Sequence, residues 1–183
     1  MRIEQTPLKD CFIIHEKVHG DARGYFIETY NQKDFNAASG LDIQFVQANH
    51  SKSSKGVLRG LHMWSGEAAQ AKLVRVLQGA VLDIAVDLRK GSPSFGQHFS
   101  VELTAGNHKQ FFVPSGFAHG FVVLSETATF FYKVDKFYQP GNEVGIMYND
   151  KDLNIDWQLP GNEIQLSDKD KTLGSFAEYA ASL

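Results

Sequence analysis

Residues 56–64 read Gly-Val-Leu-Arg-Gly-Leu-His-Met-Trp, an apolar run interrupted by a cation and an imidazole. The valine and the two leucines favour a buried strand, in which a charged arginine and a titratable histidine are unusual. Strict alternation would send Arg59 and His62 to opposite faces, so both can reach one pocket only if the strand bulges between them. Gly60 permits such a bulge. The run therefore predicts a buried strand that carries a functional site.

Length and composition are those of an ordinary globular protein. The 183 residues are 43% apolar and 21% charged, which favours a single domain over residues 1–183. A net charge of -3 argues against binding to nucleic acid or a membrane surface. Cys11 is the only cysteine, so no internal disulfide can form. The amino terminus lacks the apolar core of a signal peptide, and no apolar run approaches the roughly 20 residues of a membrane helix. We expect a cytoplasmic protein.

Short β-like runs, broken by Gly, Pro, Asn and Asp, extend along most of the chain, and helical periodicity is scarce. This pattern predicts an all-β sandwich or barrel of antiparallel strands. Residues 12–14 and 25–30 are predicted strands. Residues 33–39 predict a short helix that ends at Gly40, and residues 166–170 open a late helix.

Residues 72–88 predict a hairpin with a two-residue turn at 78–79. Its register places Val74 opposite Asp83, with Lys72 on the same face. That face can line a cavity or form the outer surface, and the hairpin alone favours the surface. Burial of Lys72 and Asp83 would be costly unless the two charges form an ion pair or serve a function.

Residues 118–134 predict a second hairpin, with its turn at 125–126. In this register His119 stands opposite Tyr132 on an apolar face. An imidazole and a phenol so placed can handle protons, or can form a hydrogen-bonded pair in the core. The pattern leaves both interpretations open.

Three other polar positions have simple structural explanations. Ser167 and Asp170 are spaced like a helix-capping pair, so capping is the role that spacing favours for Asp170. Arg23 lies in a loop rich in turn residues and is compatible with a solvated surface position. Glu28 follows two aromatic residues, where the polar face of a strand is the simplest explanation.

The chain lacks a phosphate-binding P-loop, a dinucleotide-binding loop, a cysteine pair for zinc and a nucleophile elbow. His62 is followed by a methionine and a tryptophan rather than by a second ligand, which disfavours a metal site. His62, Lys72, His119 and Tyr132 are the remaining reactive groups. A base, an acid and a cationic stabiliser are what proton abstraction next to a carbonyl requires.

Seven ordered segments carry a more specific signal. They are Gly-Asp-Ala-Arg-Gly-Tyr-Phe at 20–26 with Glu28, Gln-Ala-Asn-His-Ser at 47–51, Val-Leu-Arg-Gly-Leu-His at 57–62, Gln-Ala-Lys-Leu-Val-Arg at 70–75, Val-Pro-Ser-Gly-Phe-Ala-His-Gly-Phe at 113–121, Phe-Tyr-Lys at 131–133 and Leu-Ser-Asp-Lys-Asp at 166–170. In these segments, and over essentially its whole length, the chain resembles the dTDP-4-dehydrorhamnose 3,5-epimerase family.

The resemblance implies a cupin-type jelly-roll barrel of antiparallel strands with a few short peripheral helices. It implies a homodimer that works without a metal or other cofactor. It also implies a reaction, in which the carbons at positions 3 and 5 of dTDP-4-dehydro-6-deoxy-D-glucose are inverted. The product would be dTDP-4-dehydro-L-rhamnose, on the route to dTDP-L-rhamnose.

Roles follow from the resemblance position by position. His62 would be the base and Asp170 its carboxylate partner. Lys72 would stabilise the enolate oxygen, and Tyr132 would return a proton from the opposite face.

The resemblance also implies a set of substrate contacts. These would be Arg59 and Arg23 at the diphosphate, Gln47, Asn49 and Glu28 at the nucleotide or sugar, Tyr138 as an aromatic wall, and Phe26 and His119 as further binding residues. Asp83 would support the pocket. The loop that bears Arg23 would reach the active site of the neighbouring subunit.

Three alternatives stand beside this interpretation. A related enzyme could invert only one of the two carbons, for another dTDP-deoxysugar. A sugar-nucleotide-binding cupin without catalysis would have lost the base, the lysine or the acid. A metal-dependent cupin would rest on His62 and His119. Within the family resemblance, Met63 and Trp64 replace the pair that many members carry after the histidine.

Overall fold

The computed structural model describes residues 1–183 and is built almost entirely of β-strands. The strands are β1 (Arg2–Gln5), β2 (Phe12–His15), β3 (His19–Asp21), β4 (Gly24–Phe26), β5 (Gln47–Ser54), β6 (Leu58–Trp64), β7 (Lys72–Gln78), β8 (Ala80–Asp87), β9 (His98–Thr104), β10 (Lys109–Val113), β11 (Phe117–Val123), β12 (Thr127–Val134) and β13 (Glu143–Gly145). The helices are α1 (Gln32–Ser39) and α2 (Phe176–Ala181), with three single-turn 3₁₀ segments, Gly66–Ala68, Gly161–Glu163 and Asp170–Thr172. Neither helix has the length and hydropathy needed to cross a membrane.

The strands form two large sheets that face each other. The first sheet has the order β1-β2-β10-β7-β12-β5, and the second has the order β13-β6-β11-β8-β9. Strands β3 and β4 form a separate small hairpin. All neighbours within the sheets run antiparallel. The predicted all-β architecture with a few short helices is confirmed.

Apolar side chains fill the space between the sheets. Val74 and Phe111 of the first sheet belong to the same buried cluster as Val81 and Phe121 of the second. A second cluster lies on the outer face of the five-stranded sheet, where the chain after β13 packs on it through Trp157. Because β8 is covered on both faces, seven of its eight residues are buried.

The predicted hairpin over 72–88 is wrong in its pairing. Strand β7 pairs with β10 and β12, whereas β8 pairs with β9 and β11. Gly79 has a φ of 79°, and a Cβ there would lie 2.1 Å from the carbonyl oxygen of Thr127. The tight link therefore carries the chain from one sheet to the other, so the face of Lys72 and Asp83 is interior and not the outer surface.

The second predicted hairpin is wrong for the same reason. Strand β11 belongs to the five-stranded sheet and β12 to the six-stranded sheet. His119 lies opposite His62 and Ala85 rather than opposite Tyr132. Both His119 and Tyr132 nevertheless line the cavity between the sheets, as the alternation of side chains along each strand predicts.

The predicted bulge at Gly60 is confirmed. His119 pairs with His62 and Phe121 pairs with Arg59, so β6 holds one residue more than β11 between these two pairs. The extra residue turns both Arg59 and His62 toward the interior.

The predicted helix at 33–39 is confirmed, with Asn31 at its start and Gly40 in the left-handed conformation at its end. The late helix differs from prediction. Residues 170–172 form only a 3₁₀ turn, and α2 begins after Ser175, whose side chain caps it. The strand predicted at 25–30 ends at Phe26.

Gly60 offers a test of the bulge. Its φ is 131°, and a Cβ would lie 2.5 Å from the Cα of Gly120. We expect Gly60→Ala to lower the free energy of unfolding by about 2–4 kcal/mol, because both the backbone and the contact become strained. Gly161→Ala is the matched control, since open space surrounds that position and a change within about 0.5 kcal/mol is expected. Equal urea denaturation midpoints for the two variants would contradict the argument.

Candidate active site

A cavity of about 590 Å³ lies between the two sheets. Strands β5, β7 and β12 form one wall, and β6 and β11 form the other. The predicted site residues that line this cavity are Gln47, Asn49, Arg59, His62, Lys72, His119, Tyr132, Tyr138 and Asp170.

His62 projects from β6 and meets Asp170, which the 3₁₀ turn brings beside it. The distance from His62 Nε2 to Asp170 Oδ1 is 2.6 Å, and Asp170 is only 4% exposed. His62 Nδ1 lies 3.7 Å from Glu143 Oε1 of β13. Burial lowers the pKa of His62 below its ordinary value, against the opposing influence of the two carboxylates. The imidazole is therefore suited to accept a proton near neutral pH.

Asp170 does not act as a side-chain cap. Its backbone N–H donates to Ser167 Oγ at 3.1 Å, while its own carboxylate is directed to His62. One half of the predicted capping pair is therefore present, with Ser167 as the acceptor, but the Asp170 carboxylate is directed to His62 instead of back to Ser167.

Lys72 is buried at the start of β7, and its ammonium has no salt bridge or hydrogen bond within the chain. Burial lowers the pKa of Lys72 to about 8, while Asp83 and Glu143 act in the opposite direction. Its Nζ lies 5.2 Å from the ring centroid of Trp64. A cation in this position is available to stabilise an anion that develops in the cavity.

Tyr132 projects from β12, on the wall opposite His62. Burial raises the pKa of its phenol, while Arg59 and Asn49 act in the opposite direction. The phenol therefore stays protonated at neutral pH. A base and a proton donor face the same cavity from its two sides.

The remaining polar groups hold one another in place. Arg59 Nε and Nη2 both donate to Ser53 Oγ at 3.2 Å. Gln47 Nε2 donates to Asn49 Oδ1 at 3.0 Å, and Gln47 Oε1 accepts the backbone N–H of Tyr138 at 3.2 Å. This arrangement presents a guanidinium and several amides to a polar ligand.

Asp83 does not line the cavity but contacts His119, which does. It is fully buried, and its Oδ1 is 2.8 Å from Nε2 of His119. Its other carboxylate oxygen has no hydrogen-bond partner. Burial raises the pKa of Asp83, while His119 and Lys72 lower it.

No group of three or more His, Cys, Asp and Glu side chains is arranged to hold a metal ion.

Besides Asp83, three predicted site residues lie outside this cavity. Arg23 belongs to the turn of the β3–β4 hairpin, where its side chain is 90% exposed and pairs with Asp21. Phe26 is 67% exposed on the same hairpin, and Glu28 is exposed just after it. The structure of one chain does not bring these residues to His62.

Sequence reasoning missed Glu143, which contacts His62 and is paired with Lys169. It also missed Ser53, which holds Arg59. Neither residue had a distinctive signal: Glu143 is brought to His62 by the pairing of β13 with β6, and Ser53 is one of several serines in the polar segment before β6. Trp64 could have been predicted to face the cavity from its position alone, because it follows His62 by two residues and so lies on the same face of β6.

The two facing antiparallel sheets, with a polar cavity between them, define this protein as a cupin-type jelly roll. The family model that matches, described as dTDP-4-dehydrorhamnose 3,5-epimerase, covers residues 5–178. The chain belongs to this family, and it is an enzyme.

Individual relatives agree with this assignment. A dTDP-4-dehydrorhamnose 3,5-epimerase from Shigella flexneri is 51% identical over 170 residues, with 93% of each chain covered. The crystal structure of the enzyme of that name from Elizabethkingia anophelis NUHP1 has a TM-score of 0.94, with 54% identity and 97% of each chain covered. A Legionella pneumophila 3,5-epimerase, solved in complex with dTDP-4-keto-L-rhamnose, has a TM-score of 0.92 and 46% identity over 97% of this chain and 96% of that one.

The buried lysine predicts a pH-dependent cost in stability. Its folded-state pKa of about 8 lies below the ordinary value of 10.5, so the folded protein binds fewer protons than the unfolded chain between these values. The free energy of unfolding therefore rises with pH between these two values. The cost of burying the charged lysine is fully present below pH 8. We expect Lys72→Met to raise the free energy of unfolding at pH 7 by about 2–3 kcal/mol.

Urea denaturation at pH 7 and pH 10 measures this effect. The gain from Lys72→Met should be smaller at the higher pH, because the wild-type lysine is then largely neutral. Lys151→Met, at an exposed loop position, is the control and should show no such gain. A gain that is the same at both pH values would contradict the assignment of the cost to the charge.

Proposed function

We propose that this protein inverts carbons 3 and 5 of dTDP-4-dehydro-6-deoxy-D-glucose, giving dTDP-4-dehydro-L-rhamnose for dTDP-L-rhamnose biosynthesis. The observation that carries the proposal is the arrangement of His62 and Tyr132 on opposite walls of one cavity that also holds Lys72. Membership of the epimerase family supports it. The complex of the Legionella relative with dTDP-4-keto-L-rhamnose supports the class of substrate.

In this proposal His62 removes a proton from the carbon next to the 4-keto group. The electron pair moves into the carbonyl, and the resulting enolate oxygen is stabilised by the Lys72 ammonium. Tyr132 then gives its proton to the same carbon from the other face, so the centre is inverted. His62 next releases its proton to water and Tyr132 takes one up from water, and the same sequence at the second flanking carbon completes the reaction.

Asp170 has a supporting role in this scheme. Its carboxylate orients the imidazole and stabilises the imidazolium that forms when His62 takes the proton. Every proton transfer is assigned to a side chain, so the scheme requires neither a metal nor an organic cofactor.

The nucleotide part of the substrate would bind along the polar wall. Arg59 would contact the diphosphate, because a guanidinium matches phosphate oxygens with paired N–H groups. Gln47 and Asn49 would contact the nucleotide or the sugar, and Tyr138 would cover the base. His119, which is held by Asp83, would contact the sugar from beneath.

We further propose that the protein works as a homodimer in which Arg23, Phe26 and Glu28 complete the active site of the partner subunit. These residues lie on or beside an exposed hairpin that carries Tyr25 and Phe26, which are 65% and 67% exposed. A two-stranded hairpin with exposed aromatic residues is marginal in isolation, and contact with a second copy would stabilise it.

The proposal is tested by proton NMR of the wild-type protein with dTDP-4-dehydro-6-deoxy-D-glucose in heavy water, with a rhamnose-forming reductase present to trap the product. Deuterium should enter at both flanking carbons, and dTDP-L-rhamnose should accumulate. Exchange at one carbon would instead indicate a single-site epimerase. Absence of exchange would favour a binding protein without catalysis.

The same assay separates the two proton-transfer roles. His62→Ala should abolish exchange, because no base remains. Tyr132→Phe should retain part of the exchange but lose inversion, since His62 can still remove and return a proton on its own face. Each loss should be about a hundredfold or more. Equal and complete loss of exchange in both variants would show that the acid is misassigned.

The contribution of Arg23 to the partner's site predicts complementation. Arg23→Ala and His62→Ala should each be impaired as pure homodimers. After the two are unfolded together and refolded, mixed dimers should regain activity, since one of their sites combines an intact His62 with an intact Arg23 from the other chain. Failure of the mixture to exceed the sum of the separate variants would place Arg23 in its own subunit's site or outside catalysis.

A further inference from the structure

Trp64 occupies a position in the cavity to which the proposed reaction assigns no role. It is the next inward-facing residue after His62 on β6, and it is paired with Glu143 of β13. Its indole ring lies 5.2 Å from Lys72 Nζ, and its ring plane meets that of Tyr138 edge-on at 72°, with 6.2 Å between the centroids. Trp64 therefore links the lysine to the aromatic residue at the cavity mouth.

The environment of the lysine explains why this contact matters. Lys72 projects from the six-stranded sheet, whereas Trp64 projects from the five-stranded sheet, so the contact spans the cavity. Lys72 makes no ion pair within the chain, and it is only 8% exposed, so its ammonium is largely desolvated. A tryptophan face is the best aromatic partner for a cation, and the attraction grows when the cation is desolvated.

We propose that Trp64 is a positioning residue, whose ring face holds the Lys72 ammonium in the cavity and leaves its N–H donors free for the enolate oxygen. An ammonium has three donors, and a hydrogen-bonded carboxylate would occupy one of them and offset the charge. An aromatic face attracts the positive charge but has no lone pair that would engage one of the three N–H donors. The inference rests on the proposed function, because it assumes that Lys72 stabilises the enolate.

Other groups also influence the lysine. Asp83 of β8, Glu143 of β13 and His62 of β6 interact electrostatically with Lys72. The other titratable and charged groups that line the same cavity are His50, Arg59, His119, Tyr132, Tyr138, Lys169 and Asp170. Asp83 and Glu143 favour the ammonium, and the desolvation of the site opposes it. An informative substitution must therefore remove the ring but leave the site apolar.

Trp64→Leu meets this requirement, and Trp64→Phe keeps a smaller aromatic face. In the wild type, the alkaline midpoint of kcat/KM should lie near the lysine pKa of about 8. In Trp64→Leu that midpoint should move down by about half to one pH unit, with a smaller shift in Trp64→Phe. The kcat at neutral pH should fall by about tenfold or more in Trp64→Leu, because the ammonium is no longer held in place.

Phe137→Leu is the matched control, because Phe137 is an aromatic residue next to Tyr138 in the sequence that is 68% exposed and does not line the cavity. It should leave the alkaline midpoint unchanged. An unmoved midpoint in Trp64→Leu with a raised KM would overturn the inference and make Trp64 a wall for substrate only. A wild-type enzyme that fails to exchange substrate protons would instead refute the proposed function itself.

A measurement without substrate keeps the inference testable if Trp64→Leu does not fold. Trp157→Phe leaves Trp64 as the single tryptophan of the chain. Its fluorescence should change in a step near pH 8, as the ammonium over the indole loses its proton. The step should vanish when Lys72→Met is added. If the step persists in the Trp157→Phe/Lys72→Met double variant, or is absent from Trp157→Phe, the proposed contact between Lys72 and Trp64 is refuted.

Discussion

The site depends on how closely two backbones approach each other. Strands β6 and β11 meet at Gly60 and Gly120, where a Cβ on either residue would lie under 3 Å from the other strand. The bulge that accompanies this contact changes the alternation of β6, so that Arg59 and His62 both face inward. Without the extra residue, one strand could not present both a guanidinium and an imidazole to the same cavity.

The interior that results is unfavourable for charge, and the reactive groups draw their properties from that. Burial lowers the pKa of Lys72, raises that of Tyr132 and lowers that of His62. The three shifts have one cause, because desolvation disfavours the charged form of each group. That form is the protonated one for Lys72 and His62 and the deprotonated one for Tyr132. Asp83 is buried with one oxygen unpaired, which is a further cost in stability. Such costs are typical of sites that perform chemistry and not of cores that only fold.

The sequence predicted most of the strands, the bulge and the alternation of side chains along each strand, because each depends on residues close together in the chain; it favoured the wrong side for the face of Lys72 and Asp83. It did not predict the partners of β7, β8, β11 and β12. A short link between strands of one sheet and a short link between two sheets have the same local pattern, and only the packing of the whole sandwich distinguishes them. Spacing likewise suggested a cap for Asp170, whose partner His62 is 108 residues away. Glu143 was missed for the same reason, whereas the family resemblance, which draws on the whole chain, placed Asp170 beside His62.

The division of the site between two sheets has a consequence for the handedness of the product. His62 is carried by one sheet, and Lys72 and Tyr132 by the other, so the separation of the proposed base from the proposed acid depends on the spacing of the sheets, whose backbones pack about 10 Å apart. That spacing is maintained by the apolar side chains packed between the layers, among them Phe111 and Val81. In the proposed reaction, side chains without a polar function therefore set the stereochemistry, because their volume fixes the distance across which His62 and Tyr132 must reach the two faces of one carbon.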